Sequence, residues 1–252
     1  MAPTMNSAYD PTPPLSSEYR EKNARAARPK DAATLIVIRR RDTPEILMGR
    51  RAASHKFMPN KFVFPGGKLD VADQRLRIDA SLQPHVLDKL QKHTRKDTSS
   101  EKLTGLALAA IRETYEETGL IVGRPTKNNY RSKNASWSKF FAHSVEPALE
   151  SLELVARAIT PTYRVRRFDT RFFMVDDAAH YVNQDSLANA SGELEELHWV
   201  PVHQAPQLDL PGVTRWIIDQ VSERLTLPPQ RRATLPAPFV QFSSSGQSQR
   251  ML

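Results

Sequence analysis

Three glutamates near the end of one predicted helix have the spacing best suited to chemistry. Glu113, Glu116 and Glu117 stand within five positions, and at about 100° per residue they occupy an arc of about 100° on one side of a helix. Carboxylates this close repel one another, whereas a hard cation such as Mg²⁺ removes the repulsion and prefers oxygen ligands. A solvated acidic face, with Arg112 paired to Glu116, is the simpler interpretation. Taken alone, the spacing favours that simpler interpretation.

A pair of adjacent glycines is the second feature with chemical potential. Gly66 and Gly67 follow a short aromatic strand that ends at Pro65. Glycine tolerates positive φ and lets the backbone approach another group closely. A plain strand and turn explains the pair equally well, so its meaning depends on the rest of the chain.

The elements around these residues alternate between strands and helices. Thr98 and Glu101 have the spacing of a capping box, which predicts a helix over 99–118 with Thr98 as its N-cap, and Gly119 suits the left-handed end of that helix. Apolar and β-branched runs predict strands, and apolar stripes predict further helices. The strands are expected at 32–38, 45–50, 152–159 and 168–175, and the helices at 83–93, 136–143 and 211–225.

Composition restricts the class of protein. The chain has 252 residues, of which 39% are hydrophobic, enough for one large domain or two small ones. Cysteine is absent, which excludes disulfides, thiolate metal sites and a cysteine nucleophile, and suits a reducing compartment. No signal-peptide run and no bilayer-spanning stretch is seen, so we expect a cytoplasmic protein. We expect one domain over 31–227, an insertion at 74–100, and disordered segments at 1–30 and 228–252.

The net charge of +8 indicates either basic tails or attraction of anionic ligands. The segment 157–171 carries five arginines and one aspartate, and its charge is held in place if it forms a strand. A basic balance alone is poor evidence for nucleic-acid binding. We therefore expect a small anionic substrate, with no nucleic-acid or membrane partner, and a homodimer is compatible with the sequence.

Together, the glutamates and glycines resemble the box of the Nudix hydrolase family. That box runs Gly, five residues, Glu, seven residues, then Arg-Glu-U-x-Glu-Glu-x-Gly-U, where U is aliphatic. Its second half matches Arg112, Glu113, Glu116, Glu117, Gly119 and Leu120, with Thr114 at the first U. Its first half begins at Gly67, but Asp73 stands in place of Glu, and about 31 extra residues precede Arg112. The interrupted box resembles that of one Nudix branch, which includes coenzyme A-type diphosphatases. The segments 167–173 and 196–201 also resemble segments of that branch.

The resemblance implies an α/β fold, an α/β/α sandwich with a central mixed sheet. It also implies hydrolysis of a nucleoside diphosphate linked to another moiety, with Mg²⁺ or Mn²⁺ as cofactor. A coenzyme A derivative is one substrate; ADP-ribose, a nucleotide sugar or a dinucleotide are the alternatives. A non-catalytic module that senses nucleotides or binds nucleic acid is a third hypothesis, against which the intact glutamate triplet argues.

The same resemblance suggests roles for single residues. The expected metal ligands are Glu113, Glu116, Glu117 and the backbone carbonyl of Gly67 or its neighbour Gly66. Arg112 is expected to orient a box carboxylate, and Asp73 to close the loop. The general base is left open between a box glutamate such as Glu116 or Glu117, and Glu193 or Glu196 on the acidic turn before Trp199. The candidate phosphate contacts are Arg50, Arg51, Arg167 and Arg171, the last two having structural pairing with Asp169 as the alternative.

Overall fold

A mixed sheet with helices on both faces organises the chain. The computed structural model describes residues 25–54, 58–176, 181–182, 193–243 and 246–252. The strands in this part of the chain are β1 Lys30–Arg40, β2 Pro44–Arg51, β3 Phe62–Val63, β4 Gly66–Lys68, β5 Ile121–Pro125, β6 Val145–Pro147, β7 Glu153–Ile159, β8 Phe168–Asp176, β9 Tyr181–Val182, β10 Leu194–Pro201, β11 Pro238–Ser243 and β12 Gly246–Met251. The helices are α1 Val71–Arg75, α2 Pro84–Gln91, α3 Ser100–Thr118, α4 Ala135–Phe141, α5 Gly212–Leu225 and α6 Pro229–Thr234.

Strand β1 lies at the centre of the larger sheet. The strand order is β10-β2-β1-β8-β7-β11-β12, with β3 paired to β2 and β4 paired to β1. The β1–β8 and β7–β11 pairs are parallel, and the other pairs of this sheet are antiparallel. One edge of β1 pairs with β4 through its first half and with β2 through its second half. The two glycines therefore lie beside the centre of the sheet.

The two faces of β1 carry two separate apolar cores. Leu35 and Val37 belong to the core that includes α2, α3 and α4, whereas Ile36 and Ile38 belong to the core that includes α5. Successive side chains of a strand point to opposite faces, so the uninterrupted apolar run buries both. The predicted α/β/α sandwich with a central mixed sheet is confirmed. None of the helices in the described ranges is both long and apolar enough to cross a bilayer.

Helix α3 runs from the insertion to the glutamates. Its N-cap is Ser99, whose Oγ accepts a hydrogen bond from the N–H of Lys102 at 3.3 Å. The prediction of Thr98 was therefore wrong by one residue, because Ser99 is the hydroxyl with the right offset to the free N–H groups. At the other end Gly119 adopts φ 72°, and its N–H bonds to the carbonyl of Tyr115, as predicted. The last turns of α3 therefore place Glu113 and Glu117 against β4.

The C-terminal segment is ordered, which corrects the prediction of a disordered tail at 228–252. Strand β11 pairs in parallel with β7, and Phe239 and Val240 are buried. In α6, the buried Arg232 contacts Glu153 at 3.1 Å and Asp176 at 2.9 Å. The composition hid this order, because β11 depends on a partner strand far away in sequence. Of the predicted disordered segment 1–30, residues 1–24 lie outside the described residues.

The insertion at 74–100 has a structure of its own. The predicted short helix is confirmed as α2, and its Val86 and Leu90 are buried in the core that includes α3. Lys89 reaches from α2 to the carbonyl of Ala233 at the end of α6, 2.9 Å away. The insertion therefore packs under the C-terminal segment and away from the glycines.

Candidate active site

The two glycines of β4 lie directly against two carboxylates of α3. The N–H of Gly66 donates to Glu117 Oε2 at 3.0 Å. A Cβ placed on Gly67 would lie 2.6 Å from Glu113 Oε2 and nearer still to its Cδ. A Cβ on Gly66 would meet the carbonyl of Ala33 at 2.6 Å. Both positions need glycine because neighbouring groups already fill the space that a side chain would occupy.

The ladder between β4 and β1 decides which glycine presents its backbone to the site. Leu35 N–H bonds to Pro65 C=O and Leu69 N–H bonds to Asp31 C=O, so hydrogen-bonded pairs alternate along the ladder. In that alternation the polar groups of Gly67 face β1, and those of Gly66 face outward. The carbonyl of Gly66 is thus better placed than that of Gly67, the expected ligand.

Arg112 holds the glutamates in position. Its guanidinium makes two hydrogen bonds to Asp73, at 2.9 and 3.0 Å, and one to the carbonyl of Lys68 at 3.0 Å. A third nitrogen of this guanidinium, Nη1, lies 3.0 Å from the carboxylates of both Glu113 and Glu116. Burial by itself lowers the pKa of Arg112, but the hydrogen bonds and charge of Asp73, with the charges of both glutamates, raise it overall.

Asp73 is fully buried and connects three helices. It accepts bonds from Arg112 of α3, from the indole Nε1 of Trp137 in α4 at 2.9 Å, and from its own loop through the N–H of Asp70 at 2.9 Å. A shorter Asp fits here because α1 begins at Val71 and brings Asp73 close to Arg112. The structure thus gives Asp73 the loop-closing place that the sequence suggested.

The protein disfavours the charged forms of two of the glutamates. Burial is the largest cause that raises the pKa of Glu113 to about 7, with Arg112 opposing the shift and Glu116 adding to it. Burial also raises the pKa of Glu117 strongly, and the charge of Glu113 adds to this effect against the Gly66 N–H and Arg51. A nearby cation would stabilise both charged forms.

The donor set suits a hard divalent cation in chemistry, although the ligands are not fully assembled. Within the described ranges, no group of three or more His, Asp or Glu side chains is already placed to hold a metal ion. Glu113 and Glu116 both pair with Arg112. Glu113 and Glu117 lie against the glycines. The available donors are carboxylate and carbonyl oxygens, which Mg²⁺ and Mn²⁺ prefer. The residues therefore fit such an ion by type.

A cavity of about 400 Å³ opens from the glycines onto the sheet face that carries α5. The residues that line it beside the glutamates are Arg51, Gly66, Gly67, Lys68, Glu113 and Glu193. Burial lowers the pKa of Arg51, and the charges of Glu117 and Glu193 oppose that shift. Cations and carboxylates therefore meet at this end of the cavity.

Some predicted site residues lie elsewhere, which corrects their assignment as phosphate contacts or base. Arg50 and Glu196 form an ion pair with each other and do not line the cavity. Glu196 has φ 52° where the register of β10 shifts against β2, and such a bulge redirects a side chain. Of the acidic turn, Glu193 lines the cavity, so the structure brings Glu193 and Arg51 to the box glutamates.

Arg167 and Arg171 also point away from the cavity. Arg167 binds the carbonyls of Thr160 and Ala27, and Arg171 binds Asp31 at 2.8 Å and lies 3.2 Å from Asp169. Phe168 and Thr170, one residue along from each arginine, line the cavity, because neighbouring residues of β8 face opposite sides. The alternative of structural pairing holds for Arg171, and Arg167 anchors backbone.

Other cationic groups, which the sequence did not single out, line the cavity. Lys68 follows the glycines, and Arg164 and Arg166 lie in the loop before β8. The signal available for these two arginines was their place in the basic segment 157–171. Helix α5 begins beside the cavity at Gly212, and no side chain in the described ranges caps that end. A helix N-terminus with free N–H groups attracts phosphate.

Comparisons with known proteins agree with this geometry. A Caenorhabditis elegans protein that bears the provisional name nudix hydrolase 7 is 26% identical, over 67% of this chain and 50% of that protein. The chain is therefore similar to a Nudix hydrolase in sequence. It spans about half the length of this curated relative. No protein-family model matches the chain.

The fold has a close counterpart among solved Nudix structures. A crystal structure of a Nudix hydrolase from Alicyclobacillus acidocaldarius is 24% identical, with a TM-score of 0.55 over 78% of this chain and 92% of that one. Thr114, which replaces an aliphatic residue of the Nudix box, is fully buried, and its Oγ1 donates to the carbonyl of Ala110 at 2.8 Å. The substitution is tolerated because the hydroxyl is satisfied within the helix.

Proposed function

We propose that this Nudix protein hydrolyses a diphosphate bond in a nucleoside diphosphate linked to another moiety, with Mg²⁺ or Mn²⁺ as cofactor. One observation carries the proposal. Gly66 contacts Glu117 and Gly67 contacts Glu113 at one end of a cavity that is also lined by the cationic side chains of Arg51 and Lys68. The naming of the curated relative as a nudix hydrolase supports the same reaction class.

The metal would be held by Glu113, Glu116 and Glu117, with the carbonyl of Gly66 as a further ligand. When bound, the ion lowers the pKa of a water molecule and neutralises phosphate charge. Arg112 fixes the carboxylates by its bonds to Asp73. Such fixation matters because displacements of about 1 Å in a catalytic site cost about 10²-fold in rate.

Glu193 is the general base that we propose, since it lies at the cavity beside Arg51 and Glu117. Its carboxylate would take a proton from the attacking water. Arg51, Lys68 and Arg166 would hold the phosphate oxygens, assisted by the free N–H groups at the start of α5. Of the residues proposed from sequence for the phosphates, Arg51 is retained.

A coenzyme A derivative is the substrate that we propose to test first. Its support is the segment 46–51, which leads to Phe-Pro-Gly-Gly and loosely resembles the upstream segment of coenzyme A-type diphosphatases. ADP-ribose, nucleotide sugars and dinucleotides undergo the same chemistry and are the alternatives. The bond broken is a phosphoric anhydride in each case. A coenzyme A derivative releases adenosine 3′,5′-bisphosphate, which keeps the 3′-phosphate, and the alternatives release a nucleoside 5′-monophosphate.

The decisive experiment is a substrate panel with Mg²⁺ and with Mn²⁺, read by release of a nucleoside monophosphate or, from coenzyme A esters, of adenosine 3′,5′-bisphosphate. The panel contains coenzyme A esters, ADP-ribose, nucleotide sugars, dinucleoside polyphosphates and nucleoside triphosphates. Glu116→Gln and Glu117→Gln should abolish turnover of the best substrate. Full activity in both variants would refute the metal assignment, and no turnover of any substrate by the wild type would favour a binding module.

A further inference from the structure

The floor of the cavity is a row of four small side chains that crosses four strands. Ala32 of β1 pairs with Thr170 of β8, Thr170 pairs with Ala158 of β7, and Ala158 pairs with Val240 of β11. All four line the cavity. Neighbouring strands lie about 4.8 Å apart, so this row extends about 14 Å across the sheet.

Two aromatic side chains border the row, which makes the cavity a slot. Phe168 and Phe172 precede and follow Thr170 by two residues on β8, so both share its face. Both line the cavity, and Val213 and Thr214 of α5 cover it from the opposite side. The slot thus runs across the strands, from the glutamates toward the C-terminal hairpin.

The two ends of the slot differ in chemistry. One end holds the glycines, Glu113, Arg51 and Lys68, where the diphosphate would bind. The far end includes Ala158, Val240 and Phe242, which share the face of the sheet that carries α5. These three are apolar, and Val240 and Phe242 come from the segment that follows α6. Removal of apolar surface from water is the main attraction that such a wall offers.

We propose that the far end of the slot binds an uncharged, largely apolar group of the substrate, and that β11 determines this preference. This inference rests on the proposed hydrolase function and narrows its substrate to a nucleoside diphosphate linked to an apolar group. A sugar is disfavoured there, because its buried hydroxyls would lack hydrogen-bond partners on Ala158, Val240 and Phe242.

Two substrates that share ADP test the proposal. One is ADP esterified with octanol, and the other is ADP-ribose, so the reacting bond and the nucleoside are the same. The wild type should have the higher kcat/KM on the octyl ester, by at least about tenfold, since binding would remove the octyl chain from water. Phe242→Ser should lower the ratio of the two kcat/KM values by about tenfold.

A control substitution on the same strand distinguishes an effect on the slot from a loss of stability in β11. Gln241 lies between Val240 and Phe242 on β11 and so faces the other side of the sheet. Gln241→Ser should keep the ratio of the wild type. A second slot variant, Ala158→Leu, narrows the far end and should also lower the ratio of the two kcat/KM values. If thermal unfolding shows that Phe242→Ser does not fold, Ala158→Leu provides the test.

Binding without catalysis distinguishes a failure of this inference from a failure of the proposed function. In EDTA, calorimetry should show tighter binding of the octyl ester to the wild type than to Phe242→Ser. That result without any hydrolysis would refute the hydrolase and keep the slot. Hydrolysis with an unchanged ratio in both slot variants would refute the slot and keep the hydrolase. Equal losses for both substrates would place the shared nucleoside in the slot and overturn the inference.

Discussion

The carboxylate of Glu113 occupies the space that a side chain at Gly67 would need. A Cβ at Gly67 would lie 2.6 Å from Glu113 Oε2, so Gly67→Ala must displace the carboxylate. We expect kcat to fall by about 10²-fold, the usual cost of a displacement of about 1 Å in a catalytic site. Steady-state kinetics with Mg²⁺ on the best substrate measure this loss.

Gly105 provides the matched control for that substitution. It lies in α3, and a Cβ there would lie 3.1 Å from the side chain of Gln74 and 3.2 Å from its backbone, with no glutamate of the site among its nearest atoms. Gly105→Ala should keep wild-type kcat, since alanine favours the helix and touches no site residue. An equal loss of kcat in the two alanine variants would show that Gly67 acts through stability alone.

The base assignment gives a second prediction at this scale. Glu193→Gln should lower kcat by about 10²- to 10⁴-fold, the range over which general bases contribute. Glu196→Gln is the control, because that side chain pairs with Arg50 and does not line the cavity. Rate measurements on both variants decide between them. A large loss in Glu196→Gln alone would reverse the assignment.

At the residue scale, sequence reasoning identified types better than positions. Glu113, Glu116 and Glu117 were named from their spacing, and the structure places them at the sheet. The approach of Gly67 to Glu113 could not be foreseen, because it depends on how β4 pairs with β1. Arg50 and Arg51 look equivalent in sequence, yet the two neighbours on β2 face opposite sides, and Arg51 reaches the cavity.

Among the elements, Asp73 is the connection between α1, α3 and α4. Asp73→Asn removes the charge that balances Arg112 in a buried pair. We expect the free energy of unfolding to fall by about 3–5 kcal/mol, the usual cost of breaking such a pair. Urea denaturation followed by circular dichroism and by tryptophan fluorescence measures the change in the free energy of unfolding.

Asp70→Asn is the control for that change. The exposed side chain of Asp70 caps α1 by accepting from the N–H of Ala72, and asparagine caps a helix about as well as aspartate. Its stability should stay within about 0.5 kcal/mol of the wild type. Equal destabilisation by the two substitutions would mean that the buried pair with Arg112 contributes little.

Elements with local signals were predicted well, and those with distant partners were not. The β1–β2 hairpin, α2, α3 and α5 were predicted within a few residues, because their periodicity and caps lie in the segments themselves. The C-terminal hairpin was missed because β11 is stabilised by β7 and by the ion pairs of Arg232. No pattern within 228–252 reports those partners.

For the molecule as a whole, the ion pairs of the partly buried Asp176 link stability to pH. Burial by itself raises the pKa of Asp176, but Arg40 and then Arg232 lower it overall. A carboxylate with a lowered pKa in the folded state stabilises it above the ordinary pKa of about 4, and this contribution is lost as the pH falls through the folded value. The pairs join β8 to β1 and to α6, so acid should loosen the molecule there.

Asp176→Asn tests this link. The difference in unfolding free energy between wild type and variant should be largest above about pH 5 and should shrink as the pH falls toward 3. Urea denaturation at a series of pH values follows the difference, and Asp42→Asn, at an exposed position, should show little difference at any pH. A constant difference for Asp176→Asn would refute the link.

The parallel pairing of β1 with β8 has a consequence for the time course of folding. Asp31 and Arg171, which join these strands, are 140 residues apart, whereas β1–β2 and β7–β8 are local hairpins. The chain loses the entropy of closing a long loop before a non-local pairing can stabilise it, so parallel sheets form slowly. On refolding from urea, the hairpins should form first. Ligand binding should return last, because the row of Ala32 and Thr170 exists only once β1 and β8 have met.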